Sequence, residues 1–419
     1  MDLLNIVRLA GGLALFLFGM NVMGDALAKL AGGKLEKILE KLTSKRIYAI
    51  LLGTLVTAVI QSSSATTVMV VGFVNSGIMS LNQAVGIIIG ANIGTTMTSW
   101  ILSLVGLQGD SLLLSLLKPV SLSSLCALAG ILLYMSKKDL KKKDIGMIFL
   151  GFAVLMFGMQ MMSDSVAPLA NEPGFTRILT MFSNPLLGVT AGALLTAVIQ
   201  SSSASVGILQ ALAATGAMTY ATVFPIVMGQ NIGTCVTAVL SSVGASVNAR
   251  RASMIHFFFN FIGTLIFLAL FYIAHGIVDF AFIEETATAA GIATIHSIFN
   301  IGCCLILAPF ASLLVKLATL AVRDHGEAVE ENATVLDDRF LEKPSFAMEL
   351  CSKEMFNMCG EAVDSCFLAI DLLNRYDEDH YKKIISSEKR VDEYEDEIGS
   401  YLLKLSGKEL SESDNKRLS

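Results

Sequence analysis

Residues 47–109 and 178–249 contain no Asp, Glu, Lys or Arg. A globular domain has little reason to keep such runs free of charge. A bilayer does, because a charge at its centre costs about 2.5–3.5 kcal/mol on insertion scales. Across the 419 residues, 54% are hydrophobic and 16% charged, and mean hydropathy is +0.66. Soluble domains carry about 25% charged residues, so the composition argues against a cytosolic enzyme and excludes a disordered chain. A net charge of −6 gives no basic footprint for nucleic acid. Residues 1–322 read as an all-α polytopic membrane domain, 323–343 as a linker, and the densely charged 344–419 as a water-exposed helical domain.

The membrane part is one unit written twice. A shift of 139 residues overlays GTLVTAVIQSSSA (53–65) on GALLTAVIQSSSA (192–204), with 11 of 13 positions identical, and GANIGTTMT on GQNIGTCVT. Upstream, FGMNVMGD overlays FGMQMMSD at the same shift. Repeat 1 covers about 1–138 and repeat 2 about 139–277.

About 20 apolar residues cross a bilayer as a helix. Spans are expected at 3–24, 82–104 and 112–135, then at 145–163, 221–243 and 252–274. A final helix at 289–320 is expected to tilt or kink near Pro309. The QSSSA segments, 47–76 and 186–215, are too long for one comfortable helix and too short for two. Serines there compete for backbone hydrogen bonds and favour caps and turns. Each segment is therefore read as a re-entrant hairpin reversing at or near its serines. The alternative is one tilted helix with serines on a packing face.

Lys and Arg set the orientation. Loops 25–46, 136–144 and 244–251 are basic, whereas 164–185 holds only Arg177 and 275–288 has no base. The first three read as cytoplasmic and the others as external. Repeat-equivalent loops then lie on opposite sides, so the repeats are expected to be inverted. The N-terminus falls outside and the tail inside the cytoplasmic (inner) membrane. Asp2 stands where a cleavable signal would carry basic residues.

Inverted repeats with interrupted segments point to a secondary transporter, its site near the midplane. Hydroxyls of Ser62, Ser63, Ser64, Ser201, Ser202 and Ser203, with backbone N–H groups at helix ends, suit a tetrahedral oxyanion. Side-chain and unwound backbone carbonyl oxygens of Gln61, Asn92, Gln200 and Asn231 suit sodium, and Thr95 and Thr234 lie in the same NIGT turns. The motif segments carry no charge of either sign, so an anion there lacks a counterion. Co-bound sodium would supply it. His256 with Asn260 and His296 with Asn300 share the pattern HxxFN and read as supporting residues that hydrogen-bond between helices. There is no GxSxG elbow, HExxH or P-loop, and the serines lack a neighbouring base, so the chain does not read as an enzyme.

The seven cysteines form no CxxC pair and read as reduced, buried small side chains. In the tail, Ile384, Val391, Ile398 and Leu405 recur every seven residues, which predicts an amphipathic helix wanting a partner. That partner is an earlier helix near 344–375, a second copy, or a regulatory protein.

Paired QSSSA motifs, each followed by GxNIGT, resemble the type II sodium/phosphate cotransporters over about residues 12–305. FLFGMNVMGDAL and HFFFN are similar to the bacterial branch, and EKRVDEYEDEIGSYLLKL resembles a PhoU-like helical domain. The resemblance implies sodium-coupled uptake of inorganic phosphate, with Gln61–Ser64 and Gln200–Ser203 at the phosphate and sodium sites and the nearby threonines Thr66, Thr95 and Thr234 at sodium. It implies no organic cofactor. A carrier for sulfate or a dicarboxylate, and a phosphate sensor signalling through its tail, are the rivals.

Overall fold

A computed structural model describes residues 3–31, 45–75, 77, 79–104, 119–136, 140–324, 336, 338–342, 344–408, 410 and 412–418. Among them every extended regular element is helical, and the one β contact is an isolated antiparallel bridge between Thr219 and Thr286. The order is α1 (Leu3–Ala31), α2 (Arg46–Ile60), α3 (Ser63–Asn75), α4 (Leu81–Ser103), α5 (Pro119–Tyr134), α6 (Leu140–Val166), α7 (Pro173–Met181) and α8 (Pro185–Ile199). There follow α9 (Ser202–Ala213), α10 (Tyr220–Ser241), α11 (Val247–Val278), α12 (Ala289–Leu307) and α13 (Ala311–Ala321). The tail holds α14 (Pro344–Asn374), α15 (Glu378–Ser406) and α16 (Glu412–Leu418).

Six of these elements are long and apolar enough to cross a membrane: α1, α4, α6, α10, α11 and the run from α12 through α13. They match six of the seven expected spans. The seventh, 112–135, is represented by α5, which is shorter, and 112–118 lie outside the described residues. Local chemistry fixes the starts. Asn184 caps α8 by accepting from the N–H groups of Leu186 (3.0 Å) and Leu187 (3.3 Å), with Pro185 in the first turn. Thr288 caps α12 through the N–H of Gly291 at 2.9 Å. The last span breaks at 308–310 around Pro309, which has no N–H to continue the ladder.

Glycine decides how closely the helices approach. A Cβ built on Gly53 would lie 2.2 Å from the Ile87 carbonyl oxygen, and one on Gly90 2.0 Å from that of Ile50. In the second copy, Gly192 faces Ile226 at 2.1 Å and Gly229 faces Val189 at 2.0 Å. The 139-residue shift carries each pair onto its counterpart. Thus α2 lies on α4, and α8 on α10, in parallel and backbone to backbone. Between the copies, α1 and α6 cross antiparallel. Gly12 meets Gly158 and Gly19 meets Gly151, again repeat-equivalent positions. Phe16, Met20, Leu155, Met156, Met159 and Ala204 close a core around that crossing.

The copies also exchange partners at the motifs. Helix α3 of the first packs on α10 of the second, and α9 of the second packs on α4 of the first. Helix α11 packs on α3, α4 and α10, and α12 on α4 and α10.

The described residues fall into two compact units, one holding 3–30 and 45–324 and the other Ala31 and the residues from 336 onward. In the second, α14 and α15 pair as a hairpin, and Ile398 and Leu405 of the heptad run are buried together with Tyr401. Asp377 caps α15 through the N–H groups of Asp379 (2.9 Å) and His380 (3.0 Å). Glu361 of α14 accepts from Ser387 of α15 at 2.6 Å and pairs with Arg390. The turn at 338–342, inside the stretch read as a linker, packs with this unit, and Asp338 pairs with Lys404 at 2.7 Å.

Candidate functional site

Each QSSSA segment is a pair of helices that reverses at its glutamine. Gln61 has φ 59° and ψ 24°, and Gln200 has φ 58° and ψ 23°. Such left-handed conformations disfavour most side chains other than glycine, so the same break at two repeat-equivalent glutamines is a specified feature. The N–H of Gln61 closes α2 on the Thr57 carbonyl, and that of Gln200 closes α8 on the Thr196 carbonyl. The fold-back is real on the far side too: Thr57 donates to Thr66 at 3.0 Å although nine residues separate them. A continuous helix would hold them about 13 Å apart. In the first copy the chain therefore folds back at the glutamine and the first serine.

The break exposes the start of a helix in each copy. Ser62 caps α3 by accepting from the Ala65 N–H at 3.1 Å, and Ser201 caps α9 through Ala204 at 3.2 Å. The next two residues, Ser63 and Ser64, and likewise Ser202 and Ser203, have backbone N–H groups and hydroxyls without a partner among the described residues. Ser63, Ser202 and Ser203 are at most 5% exposed, and Ser64 is half-buried. Two N–H donors, two hydroxyls and a positive helix end are what an oxyanion needs.

The NIGT stretches offer the opposite chemistry. Asn92 and Asn231 donate their amides to the carbonyls of Ile88 and Val227, each at 2.9 Å. Thr95 donates to Ala91 at 3.1 Å and Thr234 to Gln230 at 2.9 Å. One amide hydrogen of each asparagine and the hydroxyl hydrogen of each threonine are thus turned back onto their own helix. That leaves the side-chain oxygens of Asn92 and Thr95, and of Asn231 and Thr234, with lone pairs to offer. That set suits a hard cation. Gln61 behaves likewise: its amide donates to Ala58 and its buried Oε1 has no partner.

Not every expected residue lies in this arrangement. Gln200 is exposed, unlike its counterpart Gln61, and its backbone carbonyl accepts from Thr237 at 3.4 Å. Thr66 is engaged by Thr57 and by the Ser62 carbonyl at 3.0 Å. Asn260 does bond between helices, to Cys235 Sγ of α10 at 3.4 Å. The rings of His256 and His296 do not, for all four ring nitrogens lack partners among the described residues. That corrects the expectation that the histidines tie helices together. Asn300 bonds only within its helix, to the His296 carbonyl at 2.8 Å.

Sequence reasoning missed several buried polar groups. Gln210 of α9 donates to the carbonyls of Ser99 and Ala289, both at 3.0 Å, clamping α9 to α4 and α12. Gln230 donates to the Ser205 carbonyl at 3.0 Å. Their position within charge-free apolar runs was the available signal. A separate cavity of 640 Å³, lined by Tyr220, Phe224, Phe271, Phe280 and Phe282 among others, includes none of the motif residues.

The family model described as Na+/Pi-cotransporter matches residues 15–164 and 154–288. The chain is similar to the inorganic phosphate export protein YjbB of Salmonella typhimurium, 25% identical over 86% of this chain and 64% of that protein. It is 24% identical to YjbB of Escherichia coli K12 over 99% of this chain and 74% of that one. The chain thus spans roughly two thirds to three quarters of these relatives' length. Sodium-dependent phosphate transport protein 2A of Rattus norvegicus is 37% identical over 24% of this chain and 16% of that protein. No solved structure matches. Several membrane-length apolar helices and the duplicated site agree with these likenesses: the chain is a multi-pass membrane protein, not an enzyme, and belongs to the Na+/Pi-cotransporter family.

Proposed function

We propose that the protein moves inorganic phosphate across the cytoplasmic membrane in symport with sodium, by alternating access. Phosphate is held at the starts of α3 and α9 by Ser62–Ser64 and Ser201–Ser203. Sodium is held by Gln61, Thr66, Asn92, Thr95, Gln200, Asn231 and Thr234. The observation that carries the reading is the duplicated break, where two N–H groups and two hydroxyls at each helix start have no partner among the described residues and the NIGT helices add amide and hydroxyl oxygens. Neither motif segment carries a charged residue.

The two copies are inverted, and the exchange of partners between α3–α10 and α9–α4 brings the two helix starts toward one guest. Support comes from the antiparallel crossing of the repeat-equivalent α1 and α6. By the Lys and Arg distribution the tail lies in the cytoplasm, where its unit serves a second copy or a regulatory partner.

Export is a second reading, favoured by the name of the enteric relatives. A symporter runs either way as its gradients dictate, so the same site serves both. Proteoliposomes loaded with radiolabelled phosphate, or placed in it, test the two directions under sodium, potassium and proton gradients. Flux that ignores sodium refutes the coupling. Ser63→Ala with Ser202→Ala should lower flux at least tenfold, as loss of two donors to a charged ligand implies.

A further inference from the structure

His256 and Asn260 on α11, and His296 and Asn300 on α12, are at most 1% exposed. Both nitrogens of each imidazole are without a partner, and so is the carbonyl oxygen of each asparagine. The asparagine orientations are not arbitrary. Asn260 donates to the His256 carbonyl at 3.0 Å and Asn300 to that of His296 at 2.8 Å, which turns each Oδ1 away from its own backbone. A neutral imidazole always carries one N–H, so each ring buries a donor and an acceptor unused. That costs several kcal/mol per ring in a hydrocarbon interior, and an ionisable group kept at membrane depth marks a functional position by default.

Their level in the fold points to the anion site. Asn75, at the end of α3, accepts from the Ser246 N–H at the head of α11 at 2.8 Å. The two helices pack side by side from that point. Running α3 back to Ser63 covers 18 Å at the helical rise, about the distance that takes α11 to the turn between His256 and Asn260. The other flank agrees, since Cys235, next to Thr234, donates to the His256 carbonyl at 3.5 Å. On α12, Ser297 beside His296 accepts from Trp100 at 3.0 Å, one turn beyond Thr96. Each HxxFN pair thus backs one NIGT helix.

Counterions are missing around them. The elements packed on α11 are α3, α4, α10, α12 and α13, and their ionisable side chains are Tyr220, Cys235, His296, Cys303, Cys304 and the exposed Lys316. Helix α12 meets α4, α9, α10 and α11, the last adding Arg250 and Arg251 at its head and Tyr272 and His275 toward its end. No carboxylate lies on any of these elements. Charging either ring there requires an anion, and the transported one is at the same level.

We infer that His256 and His296 bind protons together with the phosphate, so that part of the positive charge answering the anion is carried by imidazolium inside the membrane domain. This rests on the phosphate reading above and extends it. The proton comes from bulk water on the side of entry and returns to water on release, so no other reactant is needed. By linkage, anion binding raises proton affinity and low pH strengthens anion binding by the same factor.

The test uses the full chain labelled with ¹⁵N-histidine, which has 5 histidines and hence a sparse spectrum. Ring nitrogen shifts are recorded between pH 6 and 8.5 in sodium, with and without inorganic phosphate, and His256→Asn and His296→Asn assign the signals. The expected result is that phosphate moves both buried rings to the imidazolium position at a pH where they are neutral without it. In proteoliposomes of the same preparation, phosphate affinity should fall up to about tenfold per pH unit per linked proton on raising pH, after allowance for phosphate's own titration, and His256→Gln should flatten that slope. Rings that stay neutral with phosphate bound, while sodium-driven flux is intact, overturn the inference and leave the phosphate reading standing. Absent flux and absent phosphate binding in the wild type overturn that reading instead.

Discussion

Thr57 and Thr66 share a 3.0 Å hydrogen bond across the turn at Gln61, and both are fully buried. The bond ties together the helices on either side of that turn. Thr66→Val leaves the Thr57 hydroxyl buried and unpaired and should cost about 1–3 kcal/mol, whereas after Thr57→Val the Thr66 hydroxyl still donates to the Ser62 carbonyl and the cost should be smaller. The double variant should cost less than the sum. In the second copy the equivalents Thr196 and Ser205 have no such bond, so Thr196→Val should cost less than Thr57→Val. Thermal unfolding in detergent measures all four.

Gln61 has two separable jobs. Its backbone is left-handed and its Oε1 is unpaired. Gln61→Gly keeps the turn and removes the oxygen, so stability should hold while the sodium concentration for half-maximal flux rises several-fold. Gln61→Val strains the turn by about 1–2 kcal/mol and should lower yield and Tm. If glycine damages stability as much as valine, the backbone role is wrong.

Gly90 and Gly229 are the tightest helix contacts in their copies. Alanine at either position drives a methyl into a backbone carbonyl, an overpacking cost of about 1–3 kcal/mol or more. Alanine at Gly276, with nothing within 4 Å, should be neutral. Comparison of the three melting temperatures checks this.

Asn92→Asp places a carboxylate among bare oxygens. Sodium should bind tighter and phosphate weaker, each by roughly tenfold, read from sodium and phosphate dependence of uptake. Equal loss of both would mark Asn92 as structural.

Two tail carboxyls respond to pH with opposite sign. The His380 and Asp379 N–H groups hold Asp377 below its ordinary value, against a smaller opposing effect of burial. Its cap therefore contributes above the unfolded carboxylate range and is lost as pH falls through the lowered value. Burial, then Glu354 and Glu393, push Glu397 up. Its ionised form weakens the unit at neutral pH, and stability returns as pH falls toward the carboxylate range. Glu397→Gln should therefore raise the melting temperature of the full chain's tail unit at pH 7.5, and the gain should shrink as pH falls toward the carboxylate range.

Charge-free runs and apolar length made the helical membrane class and six membrane-length helices legible in the sequence. These are properties of local composition: hydrocarbon tolerates only satisfied backbone, so long apolar runs become helices wherever they occur.

Only the tertiary structure decided which atoms of the motif residues are left over. The sequence shows that Asn92 and Thr95 are polar, but one amide hydrogen of Asn92 and the hydroxyl hydrogen of Thr95 are committed to the preceding turn of α4 by helix geometry. Equally, Gln61 and Gln200 are identical in sequence context, yet one is buried and the other exposed, because burial depends on what the rest of the chain packs around each copy. The partnerless rings of His256 and His296 are of the same kind. Periodicity and composition act through neighbours in the chain and so are legible there. Satisfaction of a buried polar atom depends on neighbours in space, which only the packed molecule supplies.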